Sequence, residues 1–436
     1  MEALRRLHRL VFAHKIGTDL AWTFGSFAIL AVSGVLINLV IAFTRDASAL
    51  GVFNIAYATY LIVSQIASLG IHYSVLRHAA YYQEKPEENG RMFCTAMVLS
   101  LLLGLVVSAA LFVLSPLSLH LFGSADVAES LHYAALGLVL FPLNKVLVSY
   151  INSLRHMKAF AVLQSIRYIA VVTVVTIVCL SDMNFNLATL SFLAAESLTT
   201  ICCMGYLAAV GLLRHLHFCT RWMKRHLAFG SKGVMAGIFL DLNTRLDVLV
   251  LGMMLSPREV GIYSFAAMLI DGVQHILAII RVNFNPILVK ALRDSDHSIA
   301  IRLLKLSKRF IMGGTALLSV TLVAGFLIVV HYIIAGKGLE EGLPSLILLV
   351  TGFTLISAFT PFDNLLMISG HPGYQTAQAA SITLVNIALC LLLVPIYGIE
   401  GAAFATVAGY IGGMCFLLYY SPRLTGWNLI GNRFSA

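Results

Sequence analysis

The fold is most clearly indicated by residues 241–266, whose sequence is DLNTRLDVLVLGMMLSPREVGIYSFA. This stretch lies inside an apolar run long enough to cross a bilayer, yet it carries Asp241, Arg245 and Asp247. A charged side chain at the centre of a bilayer costs about 2.5–3.5 kcal/mol, so such residues usually face a cavity or one another. We therefore expect the rest of the chain to supply a polar surrounding for these three charges.

The composition is that of a membrane protein. Of the 436 residues, 59% are hydrophobic and 11% are charged, and the mean hydropathy is +0.89. Apolar runs of about twenty residues, the length that a helix needs to cross a bilayer, recur from end to end. We predict an all-α polytopic membrane protein with about twelve transmembrane spans. Their predicted bounds are 17–43, 48–75, 91–115, 127–152, 160–180, 186–212, 232–255, 260–286, 309–335, 342–368, 376–396 and 399–420.

The basic residues indicate how the spans are oriented. If the N-terminus is inside, 22 of the 29 Lys and Arg residues fall on the cytoplasmic side, and only Arg45, Arg258 and Lys337 fall outside. Positive charge in short loops marks the cytoplasmic side, so both termini are predicted to be cytoplasmic. The net charge of +9 follows mostly from this bias, and we expect no nucleic-acid partner.

The two halves of the chain contain a repeat. Residues 51–56 have the sequence GVFNIA, and residues 261–266 have the sequence GIYSFA, 210 positions later. Similarly, PLNK at 142–145 is echoed by PFDN at 361–364. Six spans in each half, both starting inside, predict parallel repeats related by a pseudo-two-fold axis along the membrane normal. The predicted domains are a six-helix lobe at 1–213, a cytoplasmic amphipathic linker at 214–229 and a six-helix lobe at 230–436.

The linker alternates basic with apolar residues. The basic set includes Arg221, Lys224 and Arg225, and the apolar set includes Phe218 and Trp222. This pattern is typical of an interfacial helix that lies on anionic lipid. The alternative is that its basic residues serve only to fix the topology.

Four cationic residues fall within predicted spans: Lys145, Arg167, Arg245 and Arg281. Lys145 follows Pro142, which disturbs a helix and can free backbone groups towards a cavity. Together the four form a cationic route from the cytoplasm towards the midplane. Such a route suits a phosphate or pyrophosphate, which Arg binds through two parallel hydrogen bonds and Lys as a point charge. The alternative for Arg167 and Arg281 is that each side chain extends to the membrane surface.

Span 8 has a polar face. Its members recur at helical spacing and are Asp271, Gln274, His275, Arg281 and Asn285. In lipid, such a stripe must face protein or water, and we interpret it as the lining of a central cavity between the two lobes. Polar contacts between packed helices are the alternative. The predicted substrate-binding residues are therefore Arg245, Lys145, Arg281, Arg167, Gln274 and His275.

The acidic residues within spans are candidates for charge pairing or for coupling to a proton or sodium ion. Asp241 and Arg245 are four residues apart, about 40° around a helix, and can pair. Asp247 lies about 200° from Arg245 and cannot share that face. The further candidates are Asp19, Glu196, Asp271 and Asp363.

No motif in the sequence indicates an enzyme. The segment GSKG at 230–233 is too short for a phosphate-binding loop, and GxSxG and HExxH motifs are absent. The seven cysteines form no CxxC pair and no Cys/His set with metal-binding spacing. We therefore expect a protein that is not an enzyme and has no metal or other cofactor.

Residues 243–252, NTRLDVLVLG, and 260–266, VGIYSFA, resemble the span 7–8 signature of polysaccharide flippases. These are the O-antigen type, Wzx-like members of the multidrug/oligosaccharidyl-lipid/polysaccharide (MOP) exporter superfamily, and the twelve-span organisation agrees over nearly the whole chain. The resemblance implies a MATE-like, V-shaped pair of lobes in a bacterial inner membrane. It also implies that an undecaprenyl-pyrophosphate-linked oligosaccharide moves from the cytoplasmic to the outer leaflet by alternating access.

The implied partners are this lipid-linked oligosaccharide, membrane lipids, a coupling proton or sodium ion and a polysaccharide polymerase. Two alternatives stay open. The first is a cation-coupled multidrug antiporter of the same superfamily, in which the carboxylates matter and the basic residues are incidental. The second is a membrane polysaccharide polymerase or ligase, which the short outer loops disfavour.

Overall fold

The computed structural model describes residues 2–213, 215–294 and 297–429. Within these ranges, its description leaves out the side chains of residues 2–17, 19, 20, 23, 232–244, 282, 297, 299 and 300. The described chain is helical almost throughout and contains no β-strand, which confirms the predicted all-α class.

The helices follow one another with short connections. In chain order they are α1 Glu2–Thr44, α2 Ala47–Ser68, α3 Ile71–Tyr81, α4 Pro86–Leu114, α5 Ser118–Phe122, α6 Ala125–Gly137, α7 Phe141–Ser153, α8 Met157–Leu180, α9 Leu190–Ala209, α10 Thr220–Met254, α11 Pro257–Arg293, α12 His297–Leu306, α13 Met312–Ile328, α14 Leu343–Ser357, α15 Leu365–Ile368 and α16 Pro372–Thr425. Short 3₁₀ turns lie at Ser115–Leu117, Phe185–Thr189, Leu339–Gly342 and Thr360–Phe362, and π-helical turns at Ser307–Ile311 and Val329–Ile333.

The helices account for the twelve predicted spans. Nine helical segments among the described residues are long and apolar enough to cross a membrane, and α6 with α7, bent by 44°, makes a tenth. The helix α16 has 54 residues, about 80 Å of helix, and it breaks at Gly398 (φ 56°, ψ −133°), so it supplies two crossings. The remaining predicted span, the seventh, falls in α10.

Two spans are broken at equivalent positions of the repeat. Span 4 is interrupted between α6 and α7, and Pro142 stands in the first turn of α7. Span 10 is interrupted between α14 and α15, and Pro361 stands in the intervening 3₁₀ turn. Proline is tolerated in the first turn of a helix, where its missing N–H costs nothing. Interrupted helices at matching places in two halves are typical of transporter binding sites.

The chain divides into two compact units. Unit 1 comprises Met1–Ile41, Thr59–His120 and Ala125–Ile238, and unit 2 comprises Ala42–Ala58, Leu121–Ser124 and Phe239–Ala436. Unit 1 has an apolar core that includes Phe93, Tyr150 and Trp222, and unit 2 has one that includes Phe362 and Trp427. The division into lobes at 1–213 and 230–436, joined by a linker, stays a prediction.

The glycines of the repeat, Gly51 and Gly261, touch each other's helices within unit 2. A Cβ atom on Gly51 would lie 1.7 Å from the carbonyl oxygen of Pro257, and one on Gly261 would lie 1.8 Å from that of Ala47. Ala47 and Pro257 are themselves separated by the repeat offset of 210 positions. The contact is therefore reciprocal, as a local two-fold axis requires. Only glycine permits so close an approach of two backbones.

The start of α11 is fixed by its sequence. The Ser256 hydroxyl and the Glu259 side chain form a capping box, in which each side chain bonds the other residue's backbone N–H. Pro257 supplies the first helical residue. These interactions satisfy N–H groups that have no partner inside the helix, so α11 begins at a defined residue. That start sets the positions of the polar residues further along α11.

Part of the predicted linker packs against the rest of unit 1. Trp222 is fully buried in unit 1, and its indole N–H donates to Glu88 Oε1 over 2.9 Å. His226 is also fully buried, between the Ser74 hydroxyl at 2.9 Å and the Met92 carbonyl at 3.1 Å. Trp222 therefore packs in the protein core whereas Phe218 is exposed, and the interpretation of the linker as a lipid-bound helix stays a prediction. Lys224 and Arg225 remain exposed.

Candidate functional site

A polar cavity of about 30 Å³ lies inside unit 2. It is bordered by α10, α11, α14 and the second segment of α16. Its polar lining residues are Asp247, Tyr263, Asp271, Gln274, Thr406 and Tyr410, and its apolar ones are Ala267, Ile270, Leu349 and Phe353. A space of this size holds one or two water molecules or a small cation, and oxygen atoms predominate among its polar groups.

The Asp247 carboxylate is held by two donors. The Tyr263 hydroxyl donates to Oδ2 over 2.6 Å, and the Val248 backbone N–H donates to Oδ1 over 2.9 Å. Buried polar groups need such partners, and these two fix the orientation of the carboxylate. Tyr263 follows Gly261 in the repeat motif, so the close helix crossing and this contact share one turn of α11.

Arg245 pairs with Asp271 beside the same cavity. Its guanidinium Nη2 lies 3.4 Å from Asp271 Oδ2, and its guanidinium carbon lies 5.5 Å from the centre of the Tyr57 ring. The Arg245 side chain is 26% exposed and that of Asp271 is 37% exposed. This pair is accessible, and its separation exceeds that of a charge-assisted hydrogen bond, about 2.7–2.9 Å.

A second pair in unit 2 joins Arg281 to Asp363. The guanidinium Nη1 donates to Asp363 Oδ2. The side-chain amides of Gln375 and Gln378 donate to the Asp363 carbonyl and to Oδ1, at 3.1 and 3.4 Å. Asp363 is therefore positioned by three residues from α11 and α16.

In unit 1 the corresponding pair is buried. Arg167 Nη2 lies 2.6 Å from Glu196 Oε2, and the side chains are 16% and 4% exposed. Asn144 donates to the same Oε2 and to the Glu196 carbonyl, both at 2.7 Å, and it accepts from the Thr200 hydroxyl at 2.9 Å. Glu196 Oε2 therefore accepts from both Arg167 and Asn144, and a buried carboxylate held in this way is typical of a structural pair.

Lys145 has a neutral hydrogen-bond partner. Its ammonium donates to Gln65 Oε1 over 2.8 Å. Lys145 and Arg167 both lie over the Phe141 ring, at 5.1 and 4.9 Å from its centre. The two cations of unit 1 therefore share one aromatic ring at the break between α6 and α7.

Each arginine predicted to bind substrate thus has a carboxylate partner, and each of those carboxylates was among the predicted acids. The three pairs are Arg167–Glu196, Arg245–Asp271 and Arg281–Asp363. The cationic route expected from the sequence is therefore neutralised by acids at these three points. An anion that binds one of these arginines would compete with the carboxylate for the guanidinium.

The other predicted residues have separate positions. Gln274 lines the cavity, whereas His275 is exposed and its Nδ1 lies 2.6 Å from the Asp271 carbonyl in its own helix. The side chains of Asp19 and Asp241 lie outside the described residues, and so does the predicted pairing of Asp241 with Arg245.

Several residues of the site were not predicted. These are Tyr263, Thr406 and Tyr410 at the cavity, Gln375 and Gln378 at Asp363, and Asn144 and Thr200 in unit 1. The repeat carried a signal for one of them. Asn144 and Asp363 occupy the same place in PLNK and PFDN, and each binds a side chain of an arginine–carboxylate pair.

Residues 16–292 match a protein family described as "Polysaccharide biosynthesis protein". This match covers more than half of the chain. The chain belongs to this family. A curated relative of this polysaccharide biosynthesis family protein is the EPS I polysaccharide export inner membrane protein EpsE of Ralstonia nicotianae, with 28% identity over 127 residues. The matched region is 29% of this chain and 29% of the relative.

Solved structures define the fold of this polysaccharide biosynthesis family protein. The lipid II flippase MurJ in an inward closed conformation matches with a TM-score of 0.73 and 16% identity, over 92% of this chain and 87% of that one. An inward-facing multidrug resistance MATE family transporter of the MOP superfamily matches with a TM-score of 0.71 and 13% identity, over 90% and 94%. The fold is therefore that of MOP superfamily transporters, as the sequence predicted.

Proposed function

We propose that the protein is a flippase that moves an undecaprenyl-pyrophosphate-linked oligosaccharide, an O-antigen or other surface polysaccharide repeat unit, from the cytoplasmic to the outer leaflet. The family, the MOP transporter fold and the polysaccharide export relative support this proposal. Alternating access would carry the substrate without any covalent chemistry, so the protein would act as a transporter and not as an enzyme.

The observation that most strongly supports the proposal is the geometry of the Arg245–Asp271 pair. This pair differs from the Arg167–Glu196 pair because it is partly exposed and because its closest atoms are 3.4 Å apart instead of 2.6 Å. A pyrophosphate can offer the Arg245 guanidinium two parallel hydrogen bonds and more negative charge than one carboxylate. Substrate binding would therefore displace Asp271 from Arg245 and leave the carboxylate facing the cavity.

The test is transport of a fluorescent undecaprenyl-pyrophosphate-linked oligosaccharide in proteoliposomes. Arg245→Ala should lower the initial rate at least tenfold, because a hydrogen bond to a charged group contributes about 1.5–3 kcal/mol. Arg245→Lys should retain an intermediate rate, since it keeps the charge but loses the two-fold hydrogen bonding. In cells, Arg245→Ala should abolish the surface polysaccharide while the protein still reaches the membrane.

Arg258→Ala is the matched control. Arg258 forms a comparable pair with Glu341 at 2.7 Å, but it lies in the first turn of α11 and both side chains are about half exposed. Its removal should leave transport within a factor of two of wild type. A wild-type rate for Arg245→Ala would remove Arg245 from the substrate site.

The cavity favours a second element of the proposal, which is coupling to a proton or a sodium ion. Asp247 and Asp271 border the same space together with the oxygen atoms of Tyr263, Gln274 and Thr406. If this coupling operates, Asp247→Asn should abolish the dependence of transport on an imposed sodium or pH gradient while gradient-free flipping persists. Gradient dependence equal to that of wild type would exclude Asp247 as the coupling residue.

The same experiments address the multidrug antiporter alternative. In an antiporter, Asp247→Asn should stop transport of cationic dyes, and Arg245→Ala should leave it unchanged. We further propose a bacterial inner-membrane location with both termini in the cytoplasm, and a polysaccharide polymerase as the enzyme that uses the exported units. Reporter fusions at the two ends test the orientation.

A further inference from the structure

One continuous helix runs from α12 through the π-helical turn Ser307–Ile311 into α13. The span that it contains, Ile301–Ile333, has 33 residues, or about 50 Å of helix. Residues 310–330 contain no Lys, Arg, Asp or Glu. This uncharged part is about 30 Å long, which equals the hydrocarbon core of a bilayer. The part before Phe310 therefore extends into the headgroup layer.

One face of this extension is fixed to the protein. Leu303 and Leu304 are buried in the apolar core that also contains Phe362 and Trp427. Ser307 is fully buried, and its hydroxyl donates to the Ala358 carbonyl over 2.6 Å. The orientation of the helix about its axis is thereby set, and the opposite face is turned away from unit 2.

That opposite face forms a basic belt, defined by Arg302, Lys305, Lys308 and Arg309. The four cations are exposed, and so are Leu306 and Phe310, at 40% and 64%. The four cations span about 10 Å along the helix axis, somewhat more than the roughly 5–7 Å thickness of one headgroup layer. Exposed leucine and phenylalanine beside lysine and arginine are typical of segments that lie at a membrane surface.

The cations of the belt have no acidic neighbours. Among the described residues, none of the four cations has a carboxylate within ion-pair distance, and the sequence contains no Asp or Glu from 297 to 339. By contrast, Arg91, Arg221 and Arg293 pair with Glu87, Glu88 and Asp294. The belt is an exposed surface of four positive charges without a carboxylate partner among the described residues, although Lys308 and Arg309 lie over the Phe359 and Phe310 rings.

We propose that the basic belt binds the phosphate groups of anionic phospholipids, with Phe310 and Leu306 seated among their acyl chains. Phosphates at the membrane surface lie at the depth that the belt occupies, and each Lys or Arg near an anionic surface contributes a several-fold gain in affinity. If the belt cations served only to fix the topology, only their number on the cytoplasmic side of the membrane would matter. Lipid binding requires in addition that they lie together on this exposed face of the helix.

Native mass spectrometry of the full-length protein tests the proposal. The protein is released from mixed micelles that contain equal amounts of 1-palmitoyl-2-oleoyl phosphatidylglycerol and the matching phosphatidylcholine. Wild type should retain phosphatidylglycerol roughly tenfold more than phosphatidylcholine. Replacing the four belt cations by glutamine should reduce this preference to below twofold. The control variant replaces four exposed cations elsewhere, Arg77, Lys85, Lys158 and Arg423.

The control should keep the wild-type preference, because it removes the same charge from other surfaces. A second arm uses wild type alone, so it does not depend on the folding of any variant. Raising the salt concentration from 0.1 to 1 M shortens the screening length from about 10 to about 3 Å and should remove most of the preference. Equal retention of both lipids by wild type would overturn the proposal. So would a preference that survives in the belt variant, or one that is lost equally in the control.

Discussion

Loss of the acid should destabilise the protein far more at the Arg167–Glu196 pair than at the Arg245–Asp271 pair. In unit 1, Glu196→Gln leaves the Arg167 guanidinium 84% buried with no compensating charge, since its side chain is 16% exposed. Removing one partner of a buried pair costs about 3–5 kcal/mol. In unit 2, Asp271→Asn affects a pair whose side chains are 26% and 37% exposed. Such an exposed ion pair typically contributes about 0–1 kcal/mol to the free energy of unfolding.

The measurement is thermal unfolding of the two full-length variants in the same detergent, followed by gel filtration of the soluble fraction. Glu196→Gln should unfold at a clearly lower temperature than wild type, and Asp271→Asn should unfold close to wild type. The transport rate per folded molecule should fall more for Asp271→Asn than for Glu196→Gln, because of the two acids only Asp271 borders the cavity. The double variant Arg167→Met/Glu196→Leu should recover stability, since it replaces the buried charges by apolar side chains.

Equal midpoints for Glu196→Gln and Asp271→Asn would refute the distinction between a structural and an accessible pair. The same conclusion would follow if the double variant were less stable than Glu196→Gln, because the buried arginine would then not be the source of the loss.

Two further outcomes are expected from the packing of the helices and the linker. Gly261→Ala should destabilise the protein by about 1–3 kcal/mol because its Cβ meets the Ala47 carbonyl at 1.8 Å, whereas Gly272→Ala on the same helix has open space and should be neutral or stabilising in thermal unfolding. Burial lowers the pKa of His226 from 6.5 to about 4, so the folded state keeps it neutral while the unfolded state takes up a proton. Stability should thus be full above about pH 6.5 and fall by up to about 3 kcal/mol towards pH 4, and His226→Gln should remove this part of the pH dependence of unfolding.

Hydropathy predicted which segments cross the membrane. It did not predict where a helix ends because residues of a local turn adopt positive φ angles. The second span was predicted at 48–75, whereas α2 ends at Ser68. Leu69 and Gly70 have φ angles of 40° and 64°, which end the helix, and α3 restarts at Ile71. The apolar pattern continues across this turn, so composition alone gives no sign of it. Glycine at position 70 was the available signal.

The candidate site was predicted as a set of residues but not as a set of pairs. Helical periodicity relates residues three or four positions apart, and it suggested Asp241 as the partner of Arg245. The structure pairs Arg167 with a residue 29 positions away and Arg281 with one 82 positions away. Such pairs depend on how separate helices pack. Thr406 was not predicted for the same reason, since nothing in the sequence of its own helix indicates that it lies near Asp247.

The reciprocal contact of Gly51 and Gly261 has a consequence for how the chain could have arisen. Two equivalent residues can touch only where the axis that relates them passes, and each contact in such an arrangement occurs twice. In a half-length ancestor that formed a symmetric homodimer, one glycine codon would have encoded the glycine on both sides of this contact. A mutation to any larger residue would therefore have produced two clashes. Fusion of the halves separates the two positions genetically. Selection can then act on the Ala47 side and the Pro257 side independently, which is what permits two similar halves to acquire different charges.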